Sequence, residues 1–178
     1  MKIAVVYRSK YGTTKQYAEW IAEALEASLF ESRVVKPERL LDYDWVISGG
    51  GLYAGGISGI GLVTKHPCNR LVIFTVGLAS PEETDYSEIL AKNIPAEMQV
   101  KIFHLRGGID YQKLGIVHKG MMAMLKKFML DKKDPATFTA DDKAMLESYG
   151  GKVNFTDQQT IRPLVDYVKN EVGEQAAQ

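Results

Sequence analysis

The run Leu71-Val72-Ile73-Phe74-Thr75-Val76 places the strongest constraint on what this chain can fold into. It is short, β-branched and almost wholly apolar, without the alternation of a strand that shows one face to water. Such a run suits a strand covered on both faces, as in the middle of a parallel sheet. Parallel neighbours cannot be joined by tight hairpins, so helical crossovers are required. The rest of the chain supplies both kinds of element. Ile3 to Tyr7, Ser32 to Val35, Trp45 to Ser48 and Val100 to Leu105 read as further strands. Lys15 to Leu29 carries a helical stripe of Ala18, Ile21, Ala22, Leu25 and Leu29. Ile57 to His66 is a weaker, glycine-diluted helical segment, and Pro81 to Ala91 is an acidic, helix-initiating stretch. The alternation predicts an α/β protein with a mainly parallel sheet and right-handed crossovers.

With 178 residues, one domain over 1–178 is the expectation. Hydrophobic content of 46% and charged content of 25% fit a soluble globular chain. No apolar run has the length of a membrane span, and the first strand starts too early for a secretory signal, so neither is expected. The one cysteine, Cys68, allows no internal disulfide and no cysteine cluster, which points to the cytoplasm. The three histidines, His66, His104 and His118, have no metal-ligand spacing, so no metal site is expected. Net charge is zero, yet residues 101–133 hold eight Lys/Arg against Asp110 and Asp131, a local excess of six. The basic charge is therefore a localised feature, an insert at about 107–150 before the last helix. Thr139 is placed to cap a helix ending near Gly150-Gly151. The last helix starts near Thr160, which keeps Pro163 in its first turn.

In an open doubly wound sheet, ligands bind beyond the carboxyl ends of the strands. Three loops would meet there. The first, Arg8 to Thr14, offers the hydroxyls of Ser9, Thr13 and Thr14, the charge of Lys10, the ring of Tyr11 and the conformational freedom of Gly12. A strand, such a loop and a helix N-terminus make an anion site. An ordinary strand-to-helix turn capped by threonine has the same spacing, and spacing alone does not separate the two. The second loop, Gly49-Gly50-Gly51-Leu52-Tyr53-Ala54-Gly55-Gly56, has five glycines in eight positions, so backbone could lie against a flat ligand with Tyr53 stacked on it. A flexible loop with an exposed Tyr53 is the plainer alternative. The third begins at Val76-Gly77-Leu78-Ala79.

On these loops the chain resembles the flavodoxin family. Flavodoxins carry a hydroxyl-rich loop of the form Ser/Thr-x-Thr-Gly-x-Thr after the first strand, where Ser9-Lys10-Tyr11-Gly12-Thr13-Thr14 stands here with Tyr11 as the departure. The resemblance implies five parallel strands in the order 2-1-3-4-5, with helices on both faces. It also implies flavin mononucleotide (FMN) as cofactor. Its phosphate would lie on Ser9 to Thr14, and its ring between Gly49, Gly50, Gly51, Leu52, Tyr53 on one side and Val76, Gly77, Leu78, Ala79 on the other. The chain is further similar to the flavodoxin-type, menaquinone-dependent protoporphyrinogen dehydrogenases. The likeness rests on Tyr53-Ala54, on Gly107-Gly108-Ile109-Asp110-Tyr111 after the fifth strand, and on the basic, methionine-containing stretch Lys113 to Lys133. The arginine of that family beside the tyrosine is Leu52 here. This likeness implies oxidation of protoporphyrinogen IX with a quinone acceptor, a step of heme biosynthesis.

Two classes of function compete with that one. A non-enzymatic electron carrier would dock on larger redox proteins. A regulatory domain would keep the fold without flavin. Other doubly wound families fit worse. Gly-x-Gly-x-x-Gly is absent after the first strand, as are the clustered acids of a receiver domain and the first-loop cysteine of a small phosphatase. Nucleic acid is not expected as a partner. The amphipathic basic stretch 113–133 reads equally as a solvated helix whose methionines pack on the domain and as a contact for a redox partner protein, a quinone or porphyrin, or the inner face of a membrane.

Overall fold

The computed structural model describes residues 1–110, 119–120, 123, 126–127, 134–138, 146 and 151–176. Five parallel strands form the main sheet: β1 (Ile3–Arg8), β2 (Ser28–Glu31), β3 (Trp45–Tyr53), β5 (Leu71–Gly77) and β6 (Lys101–Arg106). Their order is β2-β1-β3-β5-β6. Leaving aside β4 (Gly56–Ile57), a short strand folded back on β3, this is the expected 2-1-3-4-5 sequence. Val5, Ile47 and Val72 lie side by side in neighbouring strands. All three are fully buried, as the unbroken apolar run around Val72 requires.

Helices cover both faces. On one side α1 (Thr13–Ala24) and α4 (Arg162–Ala176) pack Tyr17, Ala18, Ile21, Leu164 and Val168 onto Val5, Ile47, Val72 and Phe74. On the other, Val6 and Val46 pack with Leu40 from a 3₁₀ turn (Pro37–Asp42) and Val63 from α2 (Gly61–Thr64). Each aliphatic side chain buried in this way stabilises the fold by about 1.5–3 kcal/mol. The short helix α3 (Ser87–Asn93) lies between β5 and β6 in the chain. Pro163 falls in the first turn of α4, where its missing N–H costs nothing.

Several boundaries differ from the sequence expectation. Helix α1 stops at Ala24, and Leu29 belongs to β2, which is Ser28–Glu31 and not Ser32–Val35. The stop is a Schellman motif. Ala27 N–H donates to the Ala22 carbonyl at 2.8 Å, and Glu26 N–H to that of Glu23 at 3.2 Å, with Glu26 at φ 50°. Glycine usually occupies that position; a glutamate there gives no signal in the sequence. Strand β3 does not end at Ser48 but runs to Tyr53 through all three glycines. The weak helix at 57–66 contracts to α2, and the stretch at 81–91 becomes a loop followed by α3.

After β6 the chain forms an antiparallel ribbon of β7 (Gly108–Asp110) and β8 (Lys152–Asn154). Most of the basic stretch 113–133, and the helix expected after Thr139, lie outside the described residues. Among the described residues, no helix is long and apolar enough to cross a membrane.

Candidate functional site

The carboxyl ends of β1, β3, β5 and β6 open onto one edge, and the expected loops meet there. After β1 the chain turns through Ser9 to Gly12 into α1. Gly12 N–H donates to the Ser9 hydroxyl at 3.0 Å, and Gly12 sits at φ 96°, in the left-handed region that favours glycine. Gly12 is also the N-cap of α1, and no side chain caps that end. Among the described residues, a methyl group at Gly12 would meet no atom beyond its chain neighbours within 4 Å, so this side of the loop is open. No acid lies in the first turn of α1, leaving its positive dipole end unopposed. Thr14 is buried and Thr13 half-buried behind this opening.

The second loop is more ordered than its glycine content suggests. β3 and β4 pair as a hairpin, Leu52 with Ile57 and Tyr53 with Gly56, around a two-residue turn at Ala54-Gly55. Both turn residues have positive φ, 49° and 73°, as a type I′ turn requires. Gly49 and Gly50 are buried within the sheet. A methyl at Gly49 would overlap the Phe74 ring, and one at Gly50 would come within 2.6 Å of Ile57 and the Ser58 carbonyl. Close packing inside the protein thus accounts for glycine at both. Gly51 stands nearer the edge, where a methyl would touch the Thr14 hydroxyl at 3.3 Å. Leu52 and Tyr53 are half-buried at the rim.

The third loop leaves β5 after Val76, which is buried, and Gly77, against which Leu52 lies so closely that a methyl would be 3.1 Å from Cδ1. Leu78 and Ala79 are half-buried beyond it. The far end of this loop is pinned by Tyr86, whose ring stacks flat on His104 with centroids 3.5 Å apart. His104 Nδ1 in turn meets the Thr75 hydroxyl at 2.6 Å, giving that buried central-strand oxygen its partner. Burial holds the His104 pKa below its ordinary value.

Lys10 joins the first loop to the second. Its ammonium lies 4.1 Å from the centre of the Tyr53 ring and 5.9 Å from that of Tyr11. Burial, and then the neighbouring Tyr53, push the Tyr11 hydroxyl pKa up.

Sequence reasoning missed the residues that close the edge from the β6 side. Arg106 donates from Nε to the Leu78 carbonyl at 3.1 Å, and its guanidinium lies 4.0 Å from the centre of the Phe155 ring. Gly107 donates to the Gly77 carbonyl at 2.6 Å, and a methyl there would collide with Val76 and press on the Thr13 hydroxyl. The only sequence hint was the glycine pair Gly107-Gly108. Arg106 lay hidden in the general basic excess. Among the described residues, no group of three or more His, Cys, Asp or Glu could hold a metal ion. Cys68 lies half-buried, away from this edge, with its thiol pKa raised by burial.

Residues 4–136 of the chain match the family model described as a flavodoxin domain. The chain belongs to the flavodoxin domain family. No curated protein matches it. Among solved structures, this flavodoxin domain is similar to a WrbA-like flavodoxin from Agrobacterium tumefaciens, at 26% identity over 46% of this chain and 62% of that one, with a TM-score of 0.39. It is also similar to an oxidised flavodoxin from Bacillus cereus, at 20% identity over 60% and 86% of the two chains and a TM-score of 0.40. A flavoprotein from Lactobacillus acidophilus, solved in complex with FMN, is 13% identical over 59% and 91%, with a TM-score of 0.40. The family match agrees with the sheet order found here.

Proposed function

We propose that this edge binds FMN and that the protein is an FMN-dependent oxidoreductase. The observation that carries this reading is the N-terminus of α1 at Gly12, which no side chain caps, at the sheet edge where β3 and β5 also end. The residues present fit the group. Backbone N–H groups of the first turn and the hydroxyls of Ser9, Thr13 and Thr14 suit a phosphate, with Lys10 adding charge and no acid in the first turn of α1. Leu52 and Tyr53 would cover one side of the ring, and Gly77, Leu78 and Ala79 would border the other.

Bound FMN would supply electron transfer, while the chain supplies orientation and electrostatics. Leu52, Tyr53 and Leu78 would exclude water from the ring and disfavour added negative charge on it, lowering its potential. For the reaction, we take protoporphyrinogen IX as the electron donor and a quinone as the acceptor. Support comes from the likeness at Tyr53-Ala54 and Gly107 to Tyr111, and from a basic, methionine-containing stretch suited to an anionic, hydrophobic substrate. The test is an anaerobic assay of protoporphyrinogen IX oxidation by the FMN-loaded protein, with menaquinone as acceptor. Turnover dependent on both quinone and residues 113–133 is expected. Flavin that is reduced and reoxidised only by partner proteins, with no porphyrin formed, would replace the enzyme by a carrier.

A further inference from the structure

We infer that Asn93, the last residue of α3, is the positioning residue of the ring-side hairpin. The inference rests on the FMN reading of the edge and adds a residue to it. Asn93 Nδ2 donates to the Gly55 carbonyl at 2.9 Å and to the Ile89 carbonyl at 2.8 Å. Its Oδ1 accepts from Ile57 N–H at 3.1 Å. The orientation of the amide is fixed by these partners, because a backbone N–H can only donate and a carbonyl can only accept.

The Gly55 carbonyl and the Ile57 N–H flank Gly56 and point away from β3, so they form the outer edge of the hairpin. A neighbouring strand would satisfy that pair with one residue's own N–H and carbonyl. The side-chain amide of Asn93 takes the place of that strand. It holds a two-residue turn whose non-glycine member, Ala54, sits at positive φ. The same helix follows the loop that begins at Leu78 and is pinned by Tyr86. Both sides of the ring slot are therefore tied to α3, one at each end. A side chain that grips Gly55 and Ile57 also sets where Tyr53 stands, since Tyr53 pairs with Gly56 between them.

The test compares FMN and riboflavin binding, and the midpoint potential of the bound flavin, in the wild-type chain, Asn93→Ala and Asn93→Asp. Asp keeps an acceptor for Ile57 but sets a carboxylate against the Gly55 carbonyl. Loss of these hydrogen bonds should weaken both flavins by a similar factor, about tenfold, since the defect lies on the ring side and not the phosphate side. The potential should shift with it, and the Ile57 amide should exchange its hydrogen faster in the flavin-free protein. Wild-type affinity and potential in both variants would overturn the inference alone. Weaker binding with an unchanged potential and a matching loss of thermal stability would mark general damage and overturn it as well. A wild-type chain that takes neither flavin would instead overturn the reading on which the inference rests.

Discussion

The Tyr17 hydroxyl donates to the Arg106 carbonyl across 2.7 Å, tying the helix behind the first loop to the end of β6. The same oxygen accepts from Asp157 N–H at 3.1 Å, so it also holds the entry to the last helix. Tyr17 is fully buried, and its ring meets Trp20 edge-on at 5.4 Å. Tyr17→Phe keeps the packing and leaves a carbonyl and an N–H without their partner. The expected cost is about 1–3 kcal/mol, read by urea unfolding of the flavin-free protein. Stability equal to wild type would mean that water replaces the hydroxyl.

Gly49→Ala should destabilise the chain through overpacking, because the added methyl would enter the Phe74 ring. About 1–3 kcal/mol is expected for a packed core. Adding Phe74→Leu should recover part of that loss, as only relief of a collision can. No recovery would place the role of Gly49 somewhere other than this contact.

These two positions show where the sequence was legible. The apolar run at Leu71–Val76 and the spacing of strands sufficed for the sheet and its layers, because burial on two faces leaves a short, unbroken, β-branched apolar run. Glycines leave no such pattern. Gly49 and Gly50 read as loop because strands disfavour glycine, yet here Phe74, Ile57 and Ser58 occupy the space their side chains would need. The tight turn at Ala54-Gly55 lacked the usual Asn-Gly or Asp-Gly marker. Arg106 and Asn93 act through partners distant in sequence, Leu78 and Gly55, and only the folded chain brings those together.

Glu26 closes α1 in a left-handed conformation that costs a non-glycine residue about 1–2 kcal/mol. Its side chain is exposed, so little packing is lost on removing it. Glu26→Gly should raise stability by up to about 1 kcal/mol, the rest being offset by the greater freedom of glycine in the unfolded chain. A raised midpoint in thermal or urea unfolding is the expected result. A lowered midpoint would mean that the glutamate makes a compensating interaction.

His104 gives the fold a pH dependence of known sign. Burial lowers its folded pKa below the unfolded value of 6.5, so the unfolded chain takes up the proton first as pH falls. Its contribution is complete above pH 6.5 and is lost progressively as pH drops toward the folded pKa. Unfolding free energy measured from pH 8 to 5 should therefore fall more steeply in the wild type than in His104→Gln. Parallel curves would show that His104 titrates alike in both states.

The central claim is that the N-terminus of α1 at Gly12 receives the phosphate of FMN. Titration of the flavin-free protein with FMN and with riboflavin, followed by flavin fluorescence, tests it most directly. The two ligands share the ring and differ in the phosphate. Saturable binding of FMN, at least about tenfold tighter than riboflavin, is predicted from a helix terminus with several N–H and hydroxyl donors. FMN binding no tighter than riboflavin, or no binding of either, would contradict it.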